Sequence, residues 1–67
     1  MSVSYKKLWH ILIDRDMKKK DLAEKAGLTA YAIKQLNKNE NVTTAVIGKI
    51  CKALDCTPDD IMEFYDN

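Results

Sequence analysis

A chain of 67 residues with eleven lysines and arginines against ten acids has a net charge of only +1, which by itself selects no class of partner. A chain this short buries only about 60% of the surface it exposes when unfolded, so nearly every apolar residue is needed for the core and little is left for an enclosed active site. Two glycines, one proline, no internal repeat and no low-complexity run fit a compact, soluble, mostly helical single domain over residues 1–67.

The first predicted element is a helix from about Tyr5 to Asp16 with Ser4 as its N-cap. Tyr5, Leu8, Trp9 and Leu12 fall at helical spacing with Ile11 and Ile13 on the flanks, an apolar arc wide enough for a central helix. The apolar run LWHILI, residues 8–13, is broken by His10 and followed at once by DRD, too short for a membrane span and wrongly flanked for a secretory signal. A cytoplasmic protein with no membrane partner is the expectation. Leu22, Ala23 and Ala26 mark a short second helix ending at Gly27. A third runs from about Ala30 to Asn37, capped by Thr29, with Ile33 and Leu36 facing inward. The fourth starts after Val42 with Thr43 or Thr44 as cap and turns Val46, Ile47, Ile50 and Leu54 inward. The fifth is announced by Thr57 as cap, Pro58 at the first helical position, and Asp59 and Asp60 at the positive end of the dipole. No strand pattern competes, and one of Phe64 and Tyr65 is expected to complete the core, a dimer contact being the alternative.

Gly27 sets the arrangement of the second and third helices. Glycine enters the left-handed region without the steric cost a side chain adds, so it stops the second helix. Leu28 then packs beneath the corner and Thr29 starts the next helix, a turn too tight for the two helices to lie parallel. The result is a helix-turn-helix over about residues 19–38. Charge is also divided: residues 1–54 carry +6 and residues 55–67 carry −5. One side of the fold is therefore suited to phosphate and the other is not.

Ala23, Gly27 and Ile33, set in KKKDLAEKAGLTAYAIKQLNKNENVTTAVIGKICKALDCTPDDIME, resemble the Cro/C1-type (XRE) helix-turn-helix regulators, and the similarity covers about Tyr5 to Phe64. The N-terminal VSYKKLWHILIDRDMKK and the short length further resemble the stand-alone members of the VanU type, found in vancomycin-resistance gene clusters. The resemblance implies an all-α, five-helix, lambda-repressor-like fold. It also shows departures: Lys18 stands where Ser or Thr usually caps the second helix, Lys19 where Gln often meets phosphate, Asn37 where Glu is frequent, and Asn39 where glycine often follows the third helix. Asparagine tolerates the left-handed conformation, so that turn should survive.

In this motif the third helix lies in the major groove while the second crosses the backbone. The residues expected to meet base edges are Thr29, Ala30, Tyr31, Lys34 and Gln35: Gln35 can pair with adenine, Lys34 with guanine, and Ala30 can touch a thymine methyl. Lys18, Lys19, Lys38, Asn39, Thr43 and Thr44 are the phosphate candidates, the two threonines because a helix N-terminus presents free N–H groups. His10 has no companion nucleophile, Cys51 and Cys56 sit where small apolar groups are wanted, and Asp59 and Asp60 are accounted for by helix capping. No catalytic residue, metal site or cofactor is expected. The sequence reads as a DNA-binding transcriptional repressor with double-stranded operator DNA as partner, forming a homodimer at least on DNA and having no room for a ligand-sensing domain. The alternative is a protein-interaction module, an antitoxin or adaptor, on the same scaffold.

Overall fold

The computed structural model describes residues 1–66. Five helices, α1 (Lys6–Asp14), α2 (Lys19–Ala26), α3 (Ala30–Asn37), α4 (Thr44–Leu54) and α5 (Pro58–Ile61), follow in order between two short terminal strands, β1 (Ser2–Ser4) and β2 (Glu63–Tyr65). Leu8 and Leu12 of α1, Leu22 of α2, Leu36 of α3, Ile50 and Leu54 of α4 and Ile61 of α5 meet in one core, joined by Val3 and Tyr5. Each such side chain, taken fully out of water, contributes about 1.5–3 kcal/mol, so every element is held by what it buries.

Four of the helices stop by one device. The first or second residue past the helix takes a left-handed conformation, and the next N–H reaches back to a carbonyl of the last turn. Asp16 (φ 56°) does this after α1, Gly27 (φ 69°) after α2, Asn39 (φ 54°) after α3 and Asp55 (φ 53°) after α4. The returning bonds are Met17 N–H to Leu12 O at 2.8 Å, Leu28 N–H to Ala23 O at 2.9 Å, Glu40 N–H to Gln35 O at 2.9 Å and Cys56 N–H to Cys51 O at 3.0 Å. Asn39 adopts the conformation expected of it, whereas Asp16 and Asp55 give no cue as plain as a glycine. Cys51 and Cys56 flank the last of these turns as free, half-buried thiols. Burial, and then the neighbouring Cys51, push the Cys56 thiol above its ordinary value.

The helix starts are made by side chains. Thr29 Oγ1 accepts from Ala32 N–H at 3.1 Å, and Thr43 Oγ1 accepts from Val46 N–H at 3.2 Å. Lys18 has no acceptor to offer α2, and the start is supported from the other direction: Asp21 Oδ2 accepts from Lys18 N–H at 2.9 Å. Asp60 Oδ2 does the same for Thr57 N–H at 3.0 Å, and these contacts hold the Asp60 carboxyl below its ordinary value.

The two ends of the chain depart from the sequence expectation. Residues 2–4 and 63–65 form an antiparallel pair in the register Ser2↔Tyr65, Val3↔Phe64 and Ser4↔Glu63. Three residues are too few for an alternating pattern to register, and each strand exists only because the fold brings the other beside it. The same pairing cuts α5 to one turn, since Met62 is already extended (φ −148°, ψ 160°). Phe64 and Tyr65 are both exposed, and the core position expected of one of them is taken by Val3 and Ile61. Helix α1 is shorter than expected, beginning at Lys6, though Ser4 Oγ still accepts from Lys6 N–H at 3.3 Å. On α3 the buried pair is Ala32 and Leu36, with Ile33 only half-buried.

Tyr5 joins the N-terminus to the loop after α3. Its side chain is buried, its N–H donates to Asn39 Oδ1 at 3.1 Å, and its hydroxyl donates to Glu40 O at 2.7 Å. Replacing it in Tyr5→Phe removes one bond and leaves a carbonyl short of a partner, so urea unfolding should show a loss of about 1 kcal/mol. Burial also raises the Tyr5 phenol above 10.0, against a smaller opposing pull from the Val42 backbone. The folded state thus keeps a proton that the unfolded chain loses, and this contribution is intact below pH 10 and fades as pH climbs through the raised value. Stability measured against alkaline pH should fall less steeply in Tyr5→Phe than in the native chain.

Candidate nucleic-acid interface

The α2–turn–α3 unit presents one face outward because its other face is used up. Leu22, Ala32 and Leu36 are buried and Ile33 and Leu28 pack against the core, which leaves the opposite side of α3 in solvent. Thr29, Ala30, Tyr31 and Lys34 are exposed there, and Tyr31 is 69% exposed, a large aromatic surface that the fold itself does not use. Gln35 is half-buried and turned toward the next loop, where its Nε2 donates to Asn41 O at 3.3 Å. The Thr29 hydroxyl is already an acceptor for its own helix and retains its donor.

Around this face lie the residues expected to meet phosphate. Lys18, Lys38, Thr43 and Thr44 are exposed, and the first turn of α4 begins at the two threonines. Backbone N–H groups of a first helical turn have no partner within the helix, so this end offers donors to an anion. Asn39 is exposed as a residue, but its Oδ1 is committed to Tyr5 N–H. Its place at the end of α3 is therefore fixed by the core side of the molecule. Of the acids nearby in sequence, Asp21 is engaged by the start of α2.

Lys19 is the most constrained of the set. Its ammonium lies 4.3 Å from the centroid of the Trp9 ring, and its Nζ also donates to Asn37 Oδ1. The amine is thus held between α1, the start of α2 and the end of α3. An ammonium has three donors, and the cation–π contact consumes none of them outright. Sequence reasoning assigned Lys19 to phosphate but missed Trp9 and Asn37 as the groups that fix it. Trp9 had the spacing of a core residue, and no periodic signal joins positions 9, 19 and 37.

With this geometry in view, comparison with known proteins is informative. The family profile of the Cro/C1-type HTH DNA-binding domain matches residues 7–67. The chain belongs to this family. Its motif falls on α2, the Gly27 turn and α3. A solved structure, that of the transcriptional regulator VanUg in its crystal form II, matches with a TM-score of 0.94 and 47% sequence identity, over 98% of this chain and 88% of that one. No curated protein matches. Among the described residues no helix is long and apolar enough to cross a membrane.

The contact that fixes Lys19 can be tested without DNA. Stacking over the indole should move the Lys19 Cε protons upfield by ring current, and Trp9→Leu should return them to their ordinary position. Proton NMR of the two proteins checks this, and an unshifted Lys19 in the native chain would show the amine to be free.

Proposed function

We propose that this chain is a sequence-specific DNA-binding transcriptional regulator that lays α3 in the major groove and represses by occupying a promoter operator that polymerase would otherwise use. The observation that carries the reading is the outward face of α3, with Tyr31, Lys34 and Ala30 exposed on a short helix whose opposite side is sealed into the core. Membership of the Cro/C1-type DNA-binding family and the likeness to a protein described as a transcriptional regulator support it.

Phosphate contacts set the register and base contacts supply the information. Lys18, Lys19 and Lys38, with the N–H groups at Thr43 and Thr44, take the first role. Lys19 enters binding with its side chain already ordered, so less rotamer freedom remains to be lost. Thr29, Ala30, Tyr31, Lys34 and Gln35 take the second role. Residues 1–67 act as one domain, and two copies occupy two half-sites as a homodimer.

Selection of bound duplexes from a random library should enrich a short motif repeated in inverted orientation about one helical turn apart. Gln35→Ala should cost about 1–3 kcal/mol at one base position, whereas Lys19→Ala should weaken all sequences alike and reduce the salt slope by about 1. Fluorescence anisotropy on the selected duplex and on single-base variants separates the two effects. Binding that shows no base preference and only fades with salt would sink the proposal in favour of a protein-interaction module.

A further inference from the structure

The chain has two cysteines, Cys51 and Cys56, and the turn that ends α4 brings both to one place. Asp55, in the left-handed conformation (φ 53°), folds the chain back so that Cys56 N–H donates to Cys51 O at 3.0 Å. In a stop of this kind the residue after the left-handed one packs against the last turn of the helix, and the side chains that meet there are ordinarily apolar. Here both are thiols, and they are hydrogen-bonded to each other. Adding the covalent lengths on either side of the backbone bond puts the two Cα atoms no more than about 7 Å apart, the outer limit for a disulfide, and any bend in that path brings them closer. Neither thiol is sealed. Both residues are half-buried, and Cys51 lies in the wall of an apolar groove of about 610 Å³ whose described lining carries no charged residue. A small neutral reagent can therefore reach it.

We propose that Cys51 and Cys56 are a thiol pair that exchanges with a low-molecular-weight disulfide, R–S–S–R, to close a reversible intramolecular bridge across the end of α4. The chemistry balances in two exchanges. The Cys51 thiolate attacks one sulfur of R–S–S–R, breaks that S–S bond, forms a mixed disulfide and releases R–S⁻. The Cys56 sulfur, passing its proton to R–S⁻, then attacks the Cys51 sulfur and releases the second R–S⁻, which takes up the proton that Cys51 lost at the start. Two protein thiols are thus oxidised to one disulfide while R–S–S–R is reduced to two R–SH. The order follows from what surrounds Cys56. Burial first, and then Cys51 itself, holds the Cys56 thiol above its ordinary value, so it acts second, when contact with the target sulfur makes the step intramolecular.

The bridge would act where the turn is weakest. A non-glycine residue in the left-handed conformation is strained, and Asp55 is such a residue; a covalent tie from Cys51 to Cys56 holds that turn closed. The folded chain presents the pair already in contact, so whatever the fold adds to bridge formation, the bridge returns to the stability of the fold. Cys51 also lies about 10 Å along α4 from Thr44, at a rise of about 1.5 Å per residue. The site is therefore separate from the phosphate candidates at the start of that helix.

Two measurements test the pair. The native chain is equilibrated with mixtures of reduced and oxidised β-mercaptoethanol, with and without urea, quenched with acid and weighed by mass spectrometry. The main product of the folded chain should be lighter by two hydrogens, and trypsin, which cuts after Lys49 and Lys52, should leave residues 50–52 joined to residues 53–67. The fold should favour the bridge about tenfold or more over the urea-unfolded chain, and the Tm of the bridged protein should be higher by about 5 °C or more. Stable mixed disulfides, links between chains, or closure no more favourable than in urea would each overturn the proposal. Cys51→Ser and Cys56→Ser, each shown to fold by a native amide spectrum, should gain no Tm with the same reagent, and a gain in either would also overturn it. Should a variant fail to fold, the equilibrium of the native chain still decides. No readout involves DNA, so the outcome is distinguishable from the fate of the regulator reading.

Discussion

The position of α3 depends on Tyr5. Its ring is in the core, its N–H is taken by Asn39 Oδ1 and its hydroxyl by the Glu40 carbonyl. All three fix the end of α3 against the start of α1. A helix of eight residues has too few internal bonds to hold its own direction and gets it from what it touches. At one end α3 is tied by the Gly27 turn to α2, and at the other by Asn39 to Tyr5. The face it leaves in solvent is therefore a fixed surface and not an average over orientations.

The left-handed stops explain how so short a chain packs five helices. Each reverses direction within two or three residues and satisfies carbonyls that would otherwise be stranded at a buried helix end. Only one of the four uses glycine. Aspartate at positions 16 and 55 and asparagine at 39 accept some backbone strain, and Asn39 then uses its side chain for a bond that glycine could not make. At this site the departure from glycine adds a tie between α1 and α3.

Much of this was legible in the sequence, and what was missed has a physical cause. Gly27 and Thr29 mark a stop and a start two residues apart, and a cap at Thr43 or Thr44 and the Thr57-Pro58-Asp59-Asp60 run mark two more starts; these are local signals that need no tertiary contact. The strands were invisible because neither Ser2–Ser4 nor Glu63–Tyr65 has any reason to extend except the other. Phe64 and Tyr65, one of which was expected in the core, were misplaced for the same reason: apolar character says that a side chain gains by leaving water, not whether its own chain or another covers it. The candidate face was legible by residue type, since the outward positions of α3 follow from the buried ones. The state of those residues was not. That Gln35 is turned to the Asn41 carbonyl, and Lys19 to Trp9 and Asn37, depends on groups 6 to 18 positions away.

Those internal contacts bear on how discrimination arises if α3 reads bases as proposed. Lys19, if it meets phosphate as proposed, would favour every DNA sequence equally. Gln35 is different. To reach a base its amide must leave the Asn41 carbonyl, and a net hydrogen bond is worth only about 0.5–1.5 kcal/mol, so the exchange gains little unless the base returns two bonds for one. Adenine does so through N6 and N7, and the other bases do not offer that pair to an amide. The resting contact thus lowers affinity only at a matched site, where it is given up, and narrows the gap to a mismatch, because a Gln35 that finds no adenine keeps its bond to Asn41.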